Sequence, residues 1–410
     1  MLRKHARMIL AGMLLLASYF PLTVQSREND AREWNQWLYQ QVLKHPDIVA
    51  EREKMHSAFY DAGALEKPLY NPELETEVER EGDDRNITLG VSQTVDWWGK
   101  QEARRQQAGF TRDAAEITYR TLIQEKMAEA LTALSNEAIA NKRQAIAREQ
   151  EAQLDAFLKL VEQRQKSGDL GEIDAELTYV SMSQRLQESA EADAQRAQAT
   201  AAMKSALLGG ASAMAIPDEF WSQARDDDHQ RLAEQHPKVQ QARAEWKSLE
   251  AQAAVVKRDT KADPSIGING GKAGDDNTIG LTLSIPLYIR NNYRAEAQSA
   301  RQQALAAESQ YLSLRQKQVA LLDASRATLN AYEARYARWH TLMHTRIANS
   351  AALLDRQWRA GDLSTPEYLL VLKERSESLQ AGLTLEAEWH NAVIDWLVQS
   401  GQLINSVQPK

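Results

Sequence analysis

Cysteine is absent from the 410 residues. That excludes disulfides, thiolate metal sites, a Cys nucleophile and a lipid carried on an N-terminal Cys. Only 10 prolines occur, and none falls between residues 100 and 166 or between 292 and 359. Those two stretches are free to be uninterrupted helix. Beyond residue 26 no apolar run approaches ~18 residues, so that part of the chain offers no transmembrane helix. Basic charge is in deficit, 49 Lys+Arg against 57 Asp+Glu. A chain this acidic is a poor partner for nucleic acid. There is no Walker A loop, dinucleotide fingerprint, HExxH or nucleophile elbow. No catalytic residue, cofactor or metal site is expected, and the chain does not read as an enzyme.

Residues 1–26 read as a secretory signal peptide. Arg3, Lys4 and Arg7 precede an apolar run from Met8 to Phe20, and Val24-Gln25-Ser26 suits cleavage. Cleavage there removes three basic and no acidic residues, leaving 46 Lys+Arg against 57 Asp+Glu, a net charge of −11. An exported chain without a spanning helix is either soluble or a transmembrane β-barrel.

The remainder repeats itself. His45-Pro46 returns as His236-Pro237, Asn71-Pro72 as Asp263-Pro264, and Asp83-Asp84 as Asp275-Asp276. Ile87-Thr88-Leu89-Gly90-Val91-Ser92 returns as Ile279-Gly280-Leu281-Thr282-Leu283-Ser284, and Ser167-Gly168-Asp169-Leu170 as Ala360-Gly361-Asp362-Leu363. The domain organisation expected is a first repeat over 27–218 and a second over 219–410. Each holds a helix, a β-hairpin (about 72–97 and 264–288), a long helix (about 100–166 and 292–359), a tip turn and a return helix. The leading helix of the first repeat is expected as one element over 31–65. The breaker-rich join at 209–235, residues 31–44 and the C-terminal tail could belt the long helices.

The hairpins carry the clearest pattern. In the first, Leu74, Thr76 and Val78 alternate with Glu73, Glu75, Glu77 and Glu79. After a turn at 82–85, Ile87, Leu89, Val91, Gln93 and Val95 alternate with Thr88, Gly90, Ser92 and Thr94. In the second, Ile266 and Ile268 precede a turn at 273–276, and Ile279, Leu281, Leu283, Ile285 and Leu287 alternate with Gly280, Thr282 and Ser284. One greasy and one small or polar face over about ten residues is the pattern of a membrane β-strand. Trp97, Trp98 and Tyr288 sit where an interfacial aromatic girdle belongs. A half-buried hairpin of a soluble protein would look similar. Two matched hairpins behind a signal peptide favour the barrel, with Leu281 and Leu283 facing lipid. Four strands cannot close a barrel that needs at least about eight, and open edges are not tolerated in lipid. Two copies would supply eight strands and three would supply twelve.

Both long helices are rich in Ala, Gln, Glu, Arg and Leu, with heptad fragments at Ala108, Ala115 and Leu122 and at Leu322, Leu329, Tyr336 and Met343. They read as coiled coil, each ending at a glycine, Gly168 or Gly361. Ser364 before Thr365-Pro366-Glu367 is a good N-cap. Glu172, Asp174, Glu176 and Glu367 follow the turns. They suit helix N-termini, and in an oligomer they could instead ring an aperture. His340 and His344 stand one helical turn apart, and two solvated histidines describe them better than a metal site.

The motifs together resemble the TolC-like family of outer-membrane efflux proteins. Asn71-Pro72-Glu73-Leu74, Val91-Ser92-Gln93-Thr94-Val95-Asp96-Trp97-Trp98-Gly99-Lys100, Asp263-Pro264, Leu283-Ser284-Ile285-Pro286-Leu287-Tyr288-Ile289-Arg290-Asn291-Asn292 and both Gly-Asp-Leu turns carry the likeness, in family order. The Pro-Leu-x-x-Arg-Asn segment is similar to the heavy-metal (CzcC/CusC-like) branch. Where that pattern often continues with Gly, this chain has Tyr293-Arg294. The resemblance implies a mostly α homotrimer: a twelve-stranded outer-membrane β-barrel, four strands per chain, above a periplasmic α-helical tunnel. It implies a passive exit duct of a tripartite system, served by a periplasmic adaptor and an inner-membrane RND-type pump, for heavy-metal cations. By position, Gly168, Asp169, Leu170, Gly361, Asp362 and Leu363 match the adaptor-docking tips, and Asp174 and Glu367 the aperture region. Other readings are a duct for drugs or a type I secreted polypeptide, and a periplasmic coiled-coil scaffold.

Overall fold

The computed structural model describes residues 21–82, 84–208, 214–223 and 228–407. Residues 1–20 of the expected signal peptide lie outside them. In order, the elements are α1 (Pro21–Leu43), α2 (Pro46–Leu65), β1 (Glu73–Glu81), β2 (Asp84–Thr94), α3 (Lys100–Lys166) and α4 (Glu172–Ala206). After a 3₁₀ turn at Asp218–Ser222 come α5 (His229–Gln235), α6 (Pro237–Asp259), β3 (Ser265–Ala273), β4 (Asp276–Ser284), α7 (Arg294–Ala360), α8 (Thr365–Gln399) and α9 (Leu403–Val407).

The single leading helix expected over 31–65 is two helices, broken at Lys44-His45. Proline at 46 lacks the N–H that would continue the first helix and disfavours helical geometry in the residue before it, yet it suits a helix start. Both hairpin turns are short. β2 begins at Asp84, and only Gly274 and Asp275 separate β3 from β4.

The chain divides into two compact units that cut across the sequence repeats. One comprises 46–122 and 228–321, and the other 1–45, 123–227 and 322–410. The first unit holds the four-stranded antiparallel sheet, ordered β1-β2-β3-β4. The two hairpins meet through β2 and β3, where Val91 lies opposite Ile268 and Gln93 opposite Ile266. At its junction with the helices, Asp96 caps α3 by accepting from the N–H groups of Lys100 and Gln101, both at 2.8 Å. Gly99 supplies the positive φ of +68° that this turn needs.

The second unit is held by α8, whose buried side chains include Val393, Trp396 and Leu397. Ser325 donates to Asp395 at 2.6 Å, and Gln124 to the Val398 carbonyl at 3.0 Å, tying α8 to α7 and α3. At Gly382 the backbone of α8 comes so close to Trp339 that a Cβ would sit 2.1 Å from the indole ring. His390 is buried against the Trp221 ring, with centroids 3.7 Å apart, and pairs with the Ser135 hydroxyl at 3.0 Å. Burial, then the nearby Lys142 charge, pushes its imidazole down to about 4. The terminal and joining segments pack together. Trp34 of α1 lies against Phe220 and donates to the Met214 carbonyl at 3.3 Å, and Asn35 donates to the Ser406 carbonyl of α9 at 3.3 Å.

Candidate functional site

Three parts of the structure bear on function: the sheet surface, the strand-to-helix junction and the paired helical turns. In the sheet, register converts sequence alternation into faces. Leu74 opposes Val91, Thr76 opposes Leu89, and Val78 opposes Ile87. Ile266 opposes Leu283, and Ile268 opposes Leu281. Because side chains alternate, all of these share one face. That face is exposed, with Leu281 82 % and Leu283 67 % accessible. Contiguous apolar surface open to this extent is not a stable water-facing surface of a monomer. The opposite face is small and polar. Ser92 donates to Glu75 at 2.6 Å, and the glycines there admit close neighbours: a Cβ on Gly280 would sit 2.3 Å from Asn269 Oδ1. β1 and β4 are the edges, and among the described residues neither has a strand on its outer side.

The junction contains a buried ion pair to which sequence reasoning assigned no role. Lys100 Nζ lies 3.0 Å from Asp263 and 3.8 Å from Asp259. The Lys100 and Asp263 side chains are only 5 % and 2 % exposed. Asp263 also accepts from the Tyr70 hydroxyl at 2.8 Å and the Trp97 N–H at 3.2 Å. Burial and the Asp263 carboxylate push the Tyr70 hydroxyl well above its ordinary range. Arg258 donates to the Gly99 carbonyl at 2.6 Å. Residues from both repeats thus lock the exits and entrances of the strands. The available signal was a charged residue beside each strand end, Lys100 and Asp263. In the second repeat Asn291 and Asn292 accept from the N–H groups two residues on, and Tyr293 takes a positive φ of +54°, a conformation that glycine adopts freely.

The structure brings the two Gly-Asp-Leu turns together. Gly168 and Gly361 have φ of +78° and +82°. Gly168 N–H donates to the Gln165 carbonyl and Asp169 N–H to that of Arg164; Gly361 N–H donates to the Trp358 carbonyl and Asp362 N–H to that of Gln357. Both are Schellman turns. Leu170 and Leu363 pack on one shared cluster of Leu154, Phe157, Val161, Ala175, Leu354, Trp358 and Tyr368. Phe157 stacks on Tyr368 at 4.3 Å and meets Trp358 edge-on at 4.6 Å, and Arg164 lies over the Trp358 ring at 4.3 Å. Asp169 and Asp362 remain exposed. An exposed pair of turns on a shared aromatic base suits a rigid contact surface.

Asp174 lies half-buried in the first turn of α4. Glu367 forms a capping box: its carboxylate accepts from the Ser364 N–H at 2.9 Å and hydroxyl at 2.7 Å, and Ser364 accepts from the Glu367 N–H at 3.4 Å. The Ser364 hydroxyl, then its N–H, hold the Glu367 carboxyl below its usual value. Among the described residues no group of three His, Cys, Asp or Glu side chains is placed to hold a metal ion. The side chain of His344 lies outside what is described, so the His340–His344 pair is not resolved into a site.

The family model described as outer membrane efflux protein matches residues 37–210. No curated protein matches the chain significantly in sequence. Among solved structures, CusC is 15 % identical with a TM-score of 0.72, the match covering 90 % of this chain and 92 % of that one. The Campylobacter jejuni CmeC outer membrane channel is 13 % identical with a TM-score of 0.72, covering 90 % and 86 %. The open-state Neisseria gonorrhoeae MtrE outer membrane channel is 13 % identical with a TM-score of 0.69, covering 90 % and 88 %. At such identity the likeness is one of fold. Residues 37–210 thus resemble the outer membrane efflux protein family in sequence, and nine-tenths of the chain shares its fold with solved outer-membrane channels.

Proposed function

We propose that this protein is the exit duct of a tripartite efflux system, assembled as a homotrimer in the bacterial outer membrane. The observation that carries the reading is the sheet: every large apolar strand side chain lies on one exposed face, while both edges lack partners. Lipid satisfies that face, and only further strands satisfy the edges, because unpaired backbone groups are too costly in hydrocarbon. Three copies supply twelve strands, enough to close a barrel whose small, polar face lines a water-filled lumen. Leu281 and Leu283 face lipid. The first and second repeats, 27–218 and 219–410, each contribute one hairpin and one pair of helices to the assembly.

The duct is passive, and an inner-membrane RND-type pump supplies the energy. A periplasmic adaptor docks on Gly168, Asp169, Leu170, Gly361, Asp362 and Leu363. Asp174 and Glu367, each present three times, sit near the periplasmic aperture, and Glu367 also caps its own helix. The cargo is heavy-metal cations, a reading supported by the Pro286-Leu287-Tyr288-Ile289-Arg290-Asn291 segment. Photo-crosslinkers at positions 169 and 362 in cells with an active pump test the docking. Capture of the adaptor encoded with that pump is expected. Capture of no adaptor at either position overturns the assignment. Deletion of the chain is expected to raise sensitivity to divalent and monovalent soft metals; a change confined to organic drugs overturns the cargo assignment.

A further inference from the structure

The helical unit of residues 1–45, 123–227 and 322–410 contains a cleft of about 840 Å³ that the duct reading leaves unused. Its walls come from α3, α7, α8 and the joining segment at 214–221. Three aromatic rings line it. Tyr336 stacks on Trp389 at 5.1 Å and 17°, and Trp221 lies 6.2 Å from Trp389. Trp389 and Tyr336 are only partly covered, so their rings remain available. Acidic groups stand around these rings: Glu137, Asp218, Glu333 and Glu386. Lys142 pairs with Glu386 at 2.5 Å and neutralises it. Asp218 and Glu333 have no ion-pair partner among the described residues, and both are exposed. Glu137, which accepts from the Asn141 amide at 2.7 Å, likewise has no ion-pair partner among the described residues, so the cleft presents three uncompensated carboxylates beside a stacked Tyr–Trp pair.

We propose that this cleft binds an organic cation carrying an aromatic ring, such as a substituted ammonium. The volume suits a ligand of drug size. Indole and phenol faces attract a cation through their quadrupoles, and the aromatic part of the ligand stacks beside them. Asp218 and Glu333 supply the net negative field that selects a cation over a neutral compound of the same shape. A bare metal ion is a poor fit. The lining offers rings and three separate unpaired carboxylates, and no three liganding side chains converge among the described residues. The site stands apart from the cargo assignment above, because it rests on helix side chains and not on the sheet or the turns.

Fluorescence anisotropy of ethidium, titrated with the full-length protein in detergent, tests this. One saturable site per chain is expected. The double variant Asp218→Asn/Glu333→Gln, and separately Trp389→Leu, should each weaken binding at least tenfold. The double variant Glu191→Gln/Glu377→Gln, which removes two exposed acids outside the cleft, should bind as the parent does. Raising the salt from 50 to 500 mM should weaken the parent more than the Asp218→Asn/Glu333→Gln variant, because exposed charges are screened. Size-exclusion chromatography checks that each variant keeps the parental assembly. Absence of saturable binding in correctly assembled parent protein overturns the proposal, as it would if a neighbouring copy fills the cleft. Parental affinity in Asp218→Asn/Glu333→Gln also overturns it, since ethidium would then be partitioning into detergent or binding elsewhere.

Discussion

Lys100 and Asp263 form a buried pair whose removal has a calculable cost. The side chains are 5 % and 2 % exposed and 3.0 Å apart, so solvent does little to screen or replace the contact. Taking away one partner of a buried pair costs about 3–5 kcal/mol, because the other is left as an uncompensated charge. In Lys100→Met, Asp263 keeps its bonds from the Tyr70 hydroxyl and Trp97 N–H, which place the loss near the lower end, at about 3 kcal/mol. In Asp263→Asn, the one carboxylate left to Lys100 among the described residues is Asp259, at 3.8 Å and on a side chain 42 % exposed, so that loss should be the larger. The double variant buries no charge and should lose at least about 2 kcal/mol less than the sum of the singles. Urea unfolding of the detergent-solubilised proteins, followed by circular dichroism, measures the four corners of the cycle. A coupling below about 0.5 kcal/mol would refute the claim that this pair locks the strand-to-helix junction.

The remaining expectations concern other parts of the chain. Leu283→Arg should cost roughly 2–4 kcal/mol at the middle of the bilayer, whereas Thr282→Arg on the opposite face should be far better tolerated; equal yields of assembled outer-membrane protein from the two contradict the register. Gly382→Ala forces the rigid Trp339 ring away from α8, at a cost of about 1–3 kcal/mol by overpacking; thermal denaturation matching the parent would show that the ring moves freely. His390, with its imidazole near 4 in the fold against about 6.5 unfolded, binds a proton more readily in the unfolded chain between those values. Stability should therefore be full above pH 6.5 and fall by up to about 3 kcal/mol toward pH 4, with a shallower slope in His390→Gln.

Much of this architecture was legible in local patterns. The strand faces follow from period-2 alternation, and the absence of proline from 100–166 and 292–359 leaves room for α3 and α7. The caps were also local: Ser364 and Glu367 are three residues apart, and the Gly168 and Gly361 turns close within six residues. Such features depend on neighbours in the chain, so composition and spacing suffice to find them. The break at His45 was readable but overlooked, because the amphipathic spacing runs on across Pro46.

Tertiary structure alone decided which distant residues meet. The pairing of β2 with β3, the shared cluster under Leu170 and Leu363, and the Lys100–Asp263–Tyr70 contacts join residues more than 160 positions apart. A lysine beside a strand end reads as solvated, and the one carboxylate close before it, Asp96, is taken up by capping α3. Only folding buries the lysine, and burial is what turns a charge into an obligation to pair. The same holds for Glu367. Its spacing from Ser364 permitted both a cap and a pore-lining acid, and the hydrogen bonds it makes commit its carboxylate to the cap within the chain. The sequence determined each element and its faces; the packing of those elements determined which charges were removed from water and therefore which residues hold the two repeats together.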